Sequence, residues 1–416
     1  MRIFMSLFCR REEGTYYRAF PWARGLAARG HQVTLACTTR EARTVRSRVH
    51  EESGVRLIET PSLWDGRWVM TRLSGLYGWS PFSIAARTRE IRWGGFDVVH
   101  AFEHQLHVSL PVVLAGRRSI PALISDQCDH YGKGGFREQL YSPYRLAALY
   151  RVIGWPVRTM MDEVERRLKR SADAVTVISR FFKERAVAMG ITLEKIHVIP
   201  GSADVQAIRP MPRTEARRAR GLPENANIMA FLGAGQFDVE FSLEAFVQVL
   251  RQKPNCLYLV LGPKDKDVAQ RAKELGVADK VIQTGWIQDE ELPGWLACAD
   301  VCLIALRDHP VNQGRWPNKI GSYMAAGRPT VCTEVGDVAV LVRDRNIGRV
   351  AKVDPGDFAG KILELLQHPE LAQSMGARAR TVAENEFALE IQVKELESVY
   401  LNCLEECHAG AVRPTH

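Results

Sequence analysis

Short β-branched runs alternate with loop-then-helix patterns along the whole chain, and that rhythm leaves few folds open. Strand, crossover helix and strand pair in parallel, so repeated alternation demands parallel sheets covered by helices on both faces. Strands are expected at Arg2–Cys9, Gln32–Ala36, Val55–Glu59, Asp97–Ala101, Ala122–Ser125, Ala174–Ile178 and His197–Ile199. A second set is expected at Ile228–Leu232, Leu257–Leu261, Val281–Thr284, Val301–Ile304, Pro329–Cys332 and Gly348–Val353. Each set is enough for one doubly wound sheet. Between them, Pro200–Pro223 is irregular, with four prolines and an arginine cluster, and it marks the hinge. The expected domains are 1–205 and 206–388, with a helix at about 389–408 packing back on the first. Two such halves facing across a cleft put ligands at the carboxyl ends of their strands.

Composition narrows the class. At 416 residues, 46% hydrophobic and 25% charged, the chain has material for more than one buried core. No apolar run approaches the roughly 18 residues that span a bilayer. The opening MRIFMSLFCRREEG reads as a first strand rather than a signal peptide. Nine cysteines without a CxxC pair argue against a metal or disulfide framework, and for a reducing cytoplasm. Charge is uneven. Residues 1–200 hold 31 Lys+Arg and 19 Asp+Glu, a balance of +12, whereas 201–416 hold 25 and 29, a balance of −4. The basic half is expected to meet an anionic partner, a membrane surface before nucleic acid, for which no recognisable module is present. Two longer stretches, Ser62–Trp93 and Phe136–Arg170, interleave Trp, Tyr, Leu and Arg in the manner of interfacial helices. They could equally be plain sheet-covering helices.

Three places carry chemistry. After the first strand, Arg10–Thr15 leads into a helix through Gly14, which lets backbone approach a ligand. Next, His100, Glu103 and His104 follow one strand, while Asp126, Gln127, Asp129 and His130 follow its neighbour, two polar clusters suited to a site wall. The most informative is Asn312–Pro329, NQGRWPNKIGSYMAAGRP. Pro317 suits a first helical turn, free N–H groups follow it, and Gly327 caps the helix. Arg315 and Lys319 beside that helix start would hold a diphosphate.

The segment RWPNKIGSYMAAGRPTVCTEVGD resembles the donor site of glycosyltransferase family 4, the retaining group 1 enzymes. ADAVTVISRFFKERAVAMGITLEKIHVIPGSADVQAIRP resembles that family's linker, and YYRAFPWARGLAARGHQVTL its first helix and second strand. VIQTGWIQDEELPGWLACADVCLIAL resembles its base-binding strand. The resemblance implies an α/β GT-B fold, two doubly wound Rossmann-like domains facing across a cleft. It implies retaining transfer from a nucleoside-diphosphate sugar, without metal or other cofactor, to a glycan or lipid-linked acceptor. UDP is the default base and GDP the next. Gly14, Gly233, Gln236, Trp286, Ile287, Gly314, Arg315, Asn318, Lys319 and Ser322 then line the donor. His104, Glu103 or Asp126 would orient the acceptor hydroxyl, and closure would exclude water.

The departures are specific. Where the family carries two glutamates with seven residues between them, this chain has Gly314 and Ser322. The usual Arg and Lys after the first strand of the second domain are absent from Gly233–Phe241, which leaves Arg315 and Lys319 as substitutes. The HxHE-like element reads His100-Ala-Phe-Glu-His104. A non-catalytic or reduced-activity binding partner and a nucleotide-sugar epimerase on the same fold therefore stay open. A dehydrogenase is disfavoured, because no GxGxxG follows either first strand.

Overall fold

The computed structural model describes residues 1–42, 45–62, 80–132, 135, 155–233 and 236–411. They form two compact units, Met1–Pro200 joined by the chain from Gln392 onward, and Gly201–Ile391.

The strands of the first unit are β1 (Arg2–Arg10), β2 (Gln32–Ala42), β3 (Arg48–Glu52), β4 (Val55–Ser62), β5 (Val98–Phe102), β6 (Ala122–Gln127), β7 (Ala174–Val177) and β8 (Ile196–Val198). They lie in the order β3-β4-β2-β1-β5-β6-β7-β8. All are parallel except β3, which runs against β4. Helices cover both faces of a parallel sheet, so its strands are apolar on both sides. Ile3, Phe4, Met5 and Leu7 of β1 are accordingly all buried. Strand order reverses between β1 and β5, which opens a crevice beyond their carboxyl ends.

β3 is the strand that periodicity misses. Its sequence, RVHEE, is polar and mostly exposed, so no hydrophobic alternation announces it. The turn Ser53-Gly54, with φ 52° and 76°, makes it instead. Paired positive φ values twist a two-residue hairpin in the sense that strands prefer. Of the two tryptophan-rich stretches, the helices Pro81–Trp93 and Trp155–Ser171 are present. Trp64, Trp68 and Trp79 lie outside the described residues.

The last helix, Leu389–Ala411, belongs to the first unit from Gln392 onward. Trp22 Nε1 donates to Gln392 Oε1 at 3.4 Å, and Glu397 takes Arg29 Nε at 2.9 Å and meets His31 Nε2 at 2.6 Å. Tyr400 reaches His100 Nδ1 at 2.6 Å. The helix approaches so closely that a Cβ on Gly25 would lie 2.5 Å from Val393 Cγ2.

The second unit holds β9 (Asn227–Leu232), β10 (Cys256–Leu261), β11 (Val281–Gln283), β12 (Val301–Ile304), β13 (Thr330–Thr333) and β14 (Gly348–Ala351). They form a wholly parallel sheet in the order β11-β10-β9-β12-β13-β14. Phe231, Phe246, Tyr258, Leu303 and Phe358 centre its core. Here the order reverses between β9 and β12, and that switch point decides where its site lies.

Candidate active site

In the second unit the site grows from the carboxyl end of β9. The strand ends in Gly233 at φ 115°, whose N–H donates to Leu261 O of β10 at 2.8 Å. Gly262 follows β10 at φ 147°, and a Cβ there would stand 3.1 Å from the backbone of Gly233. Only glycine suits this abutment of two strand ends, because both backbones lie in left-handed territory.

The helix Lys319–Ala325 stands over the switch point. Tyr323 fixes it, its hydroxyl accepting from Leu232 N–H at 2.8 Å and donating to Leu303 O at 3.2 Å. One side chain thereby ties the helix to the ends of both β9 and β12. Its start differs from the expected one. Pro317 lies ahead of the helix, and the chain turns in through short-range bonds, Ile320 N–H to Pro317 O at 3.0 Å and Gly321 N–H to Asn318 O at 3.1 Å. Asn318 is the exposed residue at the cap. Gly327, at φ 64°, closes the other end, and Arg328 N–H returns to Tyr323 O at 2.9 Å. At seven residues the helix has a modest dipole, so an anion here would rest chiefly on side chains.

Those side chains are cationic. Lys319 is half-buried, with its Nζ 3.5 Å from the centre of the Phe231 ring and 3.9 Å from where a Cβ on Gly233 would sit. Burial lowers its pKa to about 7; nearby Asp238 opposes that shift and Arg315 adds to it. Asp238 is itself buried, which raises its carboxyl, while Lys319, Arg315 and Arg307 pull it back down. Arg315 Nη1 donates to Asn312 Oδ1 at 3.2 Å, and Asn312 Nδ2 braces the loop through Arg307 O at 2.8 Å. Among the described residues, neither Lys319 nor Arg315 has a carboxylate within ion-pair distance.

The remaining donor candidates fall into two groups. Gly314 is buried at the end of the helix Pro310–Gly314, and Ser322 is half-buried one turn beyond Lys319. Gln236 opens the helix Gln236–Gln252. Trp286, 65% exposed, and half-buried Ile287 lie apart from these, beyond edge strand β11. Thr284 shapes that end by accepting from Gly262 N–H at 3.2 Å and donating to Gly285 O at 2.9 Å.

The first unit supplies a buried polar network at the ends of β5 and β6. Asp126 is enclosed: its carboxylate takes Arg18 Nη2 at 2.9 Å, Arg18 Nε at 3.1 Å and the Thr176 hydroxyl at 2.7 Å. Arg18 also donates to Pro200 O at 3.2 Å and lies 4.1 Å from the Trp22 ring centre. His100 joins the same chain through Thr176 at 3.2 Å. So Asp126 and His100 hold structure together here.

Glu103 has φ 67°, unusual for a residue with a side chain. Its Oε1 accepts from Cys128 N–H and Asp129 N–H, each at 2.9 Å, and lies 2.8 Å from Cys128 Sγ. Its Oε2 is buried without a hydrogen bond, and burial pushes the acid well above the usual carboxylate range. Beside it, His104 is sandwiched, Nδ1 4.0 Å from Glu103 Oε2 and Nε2 3.7 Å from Glu165 Oε2. Burial lowers that imidazole to about 4. Glu165 is neutralised by Lys169 at 2.8 Å and Arg185 at 3.0 Å. Gly14, at φ 50°, is exposed in the turn before the helix Tyr16–Ala28.

Two clusters of the described residues bring possible metal ligands within 4.8 Å of one another, Glu103–Cys128–Asp129 and His130–Asp162–Glu165. In the first, Glu103 Oε1 already receives protein donors. In the second, Asp162 and Glu165 are paired with Arg185, and Glu165 also with Lys169. The second cluster therefore lacks the uncompensated acid that a hard cation demands.

Arg18, Asp238, Glu165 and Lys169 are the contributors that sequence reasoning missed, since they act on residues remote in sequence. Asn312 and Tyr323 lie within the segment singled out, but their roles depend on contacts that the sequence does not show.

The buried histidines predict a pH dependence. His100 and His107 are lowered to about 3 and His104 to about 4, mainly by burial. Below about pH 6.5 the unfolded chain therefore binds protons that the fold refuses. Raised Glu103, Asp238 and Glu395 act oppositely, favouring the fold at acid pH, while lowered His197 and, nearer pH 4, Glu165 add to the three buried histidines, which set the sign. The urea midpoint is expected to fall steadily from pH 6.5 to 4. A flat midpoint over that range would show the histidines to be charged or solvated in the fold.

Residues 226–368 match the family described as glycosyl transferases group 1, and residues 14–201 match the glycosyl transferase 4-like domain. A D-inositol 3-phosphate glycosyltransferase of Thermobispora bispora is 27% identical over 229 residues, covering 52% of this chain and 52% of that protein. A GDP-mannose-dependent alpha-(1-6)-phosphatidylinositol monomannoside mannosyltransferase of Mycobacterium tuberculosis is 26% identical, covering 55% of this chain and 61% of its own length. The chain thus spans between half and two thirds of these curated relatives. Sucrose-phosphate synthase from Thermosynechococcus elongatus superposes with a TM-score of 0.74 at 19% identity, covering 97% and 99% of the two chains. Anabaena Alr3699/HepE in complex with UDP and glucose gives 0.68 at 13%, covering 97% and 100%. These structures speak for the fold alone. With both halves matched in order and each built as a Rossmann-like parallel sheet, the chain belongs to the group 1, family 4 glycosyltransferases, on the GT-B fold.

Proposed function

We propose that this protein transfers a sugar from a nucleoside-diphosphate sugar to an acceptor hydroxyl with retention at the anomeric carbon, and without a metal. One observation carries the reading: Lys319 stands beside Gly233 at the switch point of the second sheet with Arg315 acting on it, and neither has a carboxylate of the described residues within ion-pair distance. Preorganised cations at that place would stabilise the charge growing on a departing diphosphate. Ser322 would meet the ribose, Gly314 would leave room for the sugar, and the backbone at Trp286 and Ile287 would border the base. In the first unit, His104 and Glu103 would present polar atoms to an acceptor, and Asp126 would act through Arg18 rather than on substrate.

UDP is favoured and GDP next. HepE was solved with UDP and with UDP-glucose, and the mycobacterial relatives are described as GDP-mannose-dependent. A glycan or lipid-linked acceptor fits the latter description. A thermal-shift screen against UDP-, GDP- and ADP-sugars tests the reading, since a ligand at ~100 times its dissociation constant adds roughly 2.7 kcal/mol. No shift with any of them would leave a non-catalytic partner as the better reading. An isomerised sugar released without acceptor would favour an epimerase.

The excess of positive charge in residues 1–200 supports contact with an anionic membrane. The protein is expected to sediment with phosphatidylserine-containing liposomes at low salt and to leave them at ~0.5 M salt, where the Debye length is only a few ångströms. Equal sedimentation with neutral liposomes would remove the electrostatic argument.

A further inference from the structure

The lysine at the donor site is held against an aromatic face rather than by an acid. Its Nζ rests 3.5 Å above the Phe231 ring centre, and no carboxylate of the described residues is within ion-pair distance. A second cation, Arg315, approaches it from the loop after Pro310–Gly314. Asp238, on the helix Gln236–Gln252, is the one acid that acts on it; burial raises that carboxyl, and it lies beyond ion-pair distance of the amine. Arg307 also bears on Asp238 and is itself 3.9 Å from exposed Glu240. So the site has a half-buried amine on an aromatic face, a neighbouring guanidinium and a buried carboxyl group beyond ion-pair distance of the amine.

We propose that a nucleoside-diphosphate group binding here draws one proton from solvent onto Lys319, so that donor affinity weakens as pH rises above neutrality. The inference rests on the donor-site reading above. Opposite charge within a few ångströms favours the charged form of an amine, and two ionised phosphoryl oxygens supply it. With burial lowering its pKa to about 7, a substantial share of Lys319 amines is neutral at pH 8, and each must be protonated for full pairing. No bond of the ligand changes. The proton comes from buffer and is returned when the nucleotide leaves.

Isothermal titration decides the matter, with UDP-glucose and GDP-mannose as probes. Their diphosphates are diesterified and fully ionised, and their bases are essentially neutral at pH 8, so a proton taken up there belongs to the protein. At pH 8, heats measured in buffers of different ionisation enthalpy are expected to show net proton uptake per site, diminishing toward pH 6. The dissociation constant should rise toward tenfold per pH unit between pH 7.5 and 9, and be flat below pH 6.5. Lys319→Arg, whose guanidinium stays charged, is expected to lose both the uptake and the slope, whatever its own affinity. Binding without proton uptake overturns the inference and leaves the donor site standing. Uptake that survives in Lys319→Arg assigns the proton to Asp238 and overturns it too. Failure of both probes to bind at any pH takes down the donor-site reading, and this inference with it.

Discussion

Combining Lys319→Ala with Arg315→Ala is expected to weaken nucleotide-sugar binding by about 100-fold or more, with secondary structure unchanged. A charge-assisted hydrogen bond to phosphate contributes ~1.5–3 kcal/mol, so two such partners account for two to four decades. The loss is not compensated from elsewhere, because the segment from Gly233 to Phe241 carries Asp238 and Glu240 but no base. The helix itself should survive, since Tyr323 pins it through Leu232 and Leu303 rather than through either cation. Titration of the double variant at pH 6.5, where the wild-type lysine is largely charged, gives the cleanest comparison. Affinity within threefold of wild type would place the diphosphate elsewhere.

The second large effect concerns stability. Asp126→Ala is expected to cost ~3–5 kcal/mol, because it strands the buried Arg18 guanidinium without its counter-ion. Replacing both, with Arg18→Met added, is expected to recover a good part of the loss, since an apolar pair pays no desolvation of charge. Denaturant unfolding of the two variants measures this directly. A cost below 1 kcal/mol for Asp126→Ala would mean that water reaches the pair. Asp126→Asn separates structure from chemistry. A group acting through Arg18 would alter unfolding and turnover together, whereas one orienting an acceptor would lower turnover alone.

Much of this was visible in the residues themselves. Strands such as Ile3–Leu7 and Ile228–Leu232 announce themselves because parallel strands buried on both faces are continuous apolar runs. The helix before Gly327 and the cations beside it could be read from local spacing, and they lie where the switch point of the second sheet places a ligand. What stayed hidden has one of two causes. β3 carries no hydrophobic signal and exists because the Ser53-Gly54 turn folds it onto β4. The other cause is distance along the chain. Asp126 looked like a site residue because it follows a strand, yet Arg18, 108 positions earlier, encloses it. His104 sits similarly between Glu103 and Glu165, and no motif links it to Glu165.

Periodicity and turn chemistry, which are properties of neighbouring residues, therefore sufficed to determine two doubly wound parallel sheets and a cationic helix start near Pro317. Tertiary structure decided the rest: which polar groups are neutralised and which are left uncompensated. That choice depends on desolvation and on ion partners brought from far along the chain, neither of which has a local signature. It made Asp126 part of a buried pair and left Lys319 on the face of Phe231 with no carboxylate of the described residues in ion-pair distance.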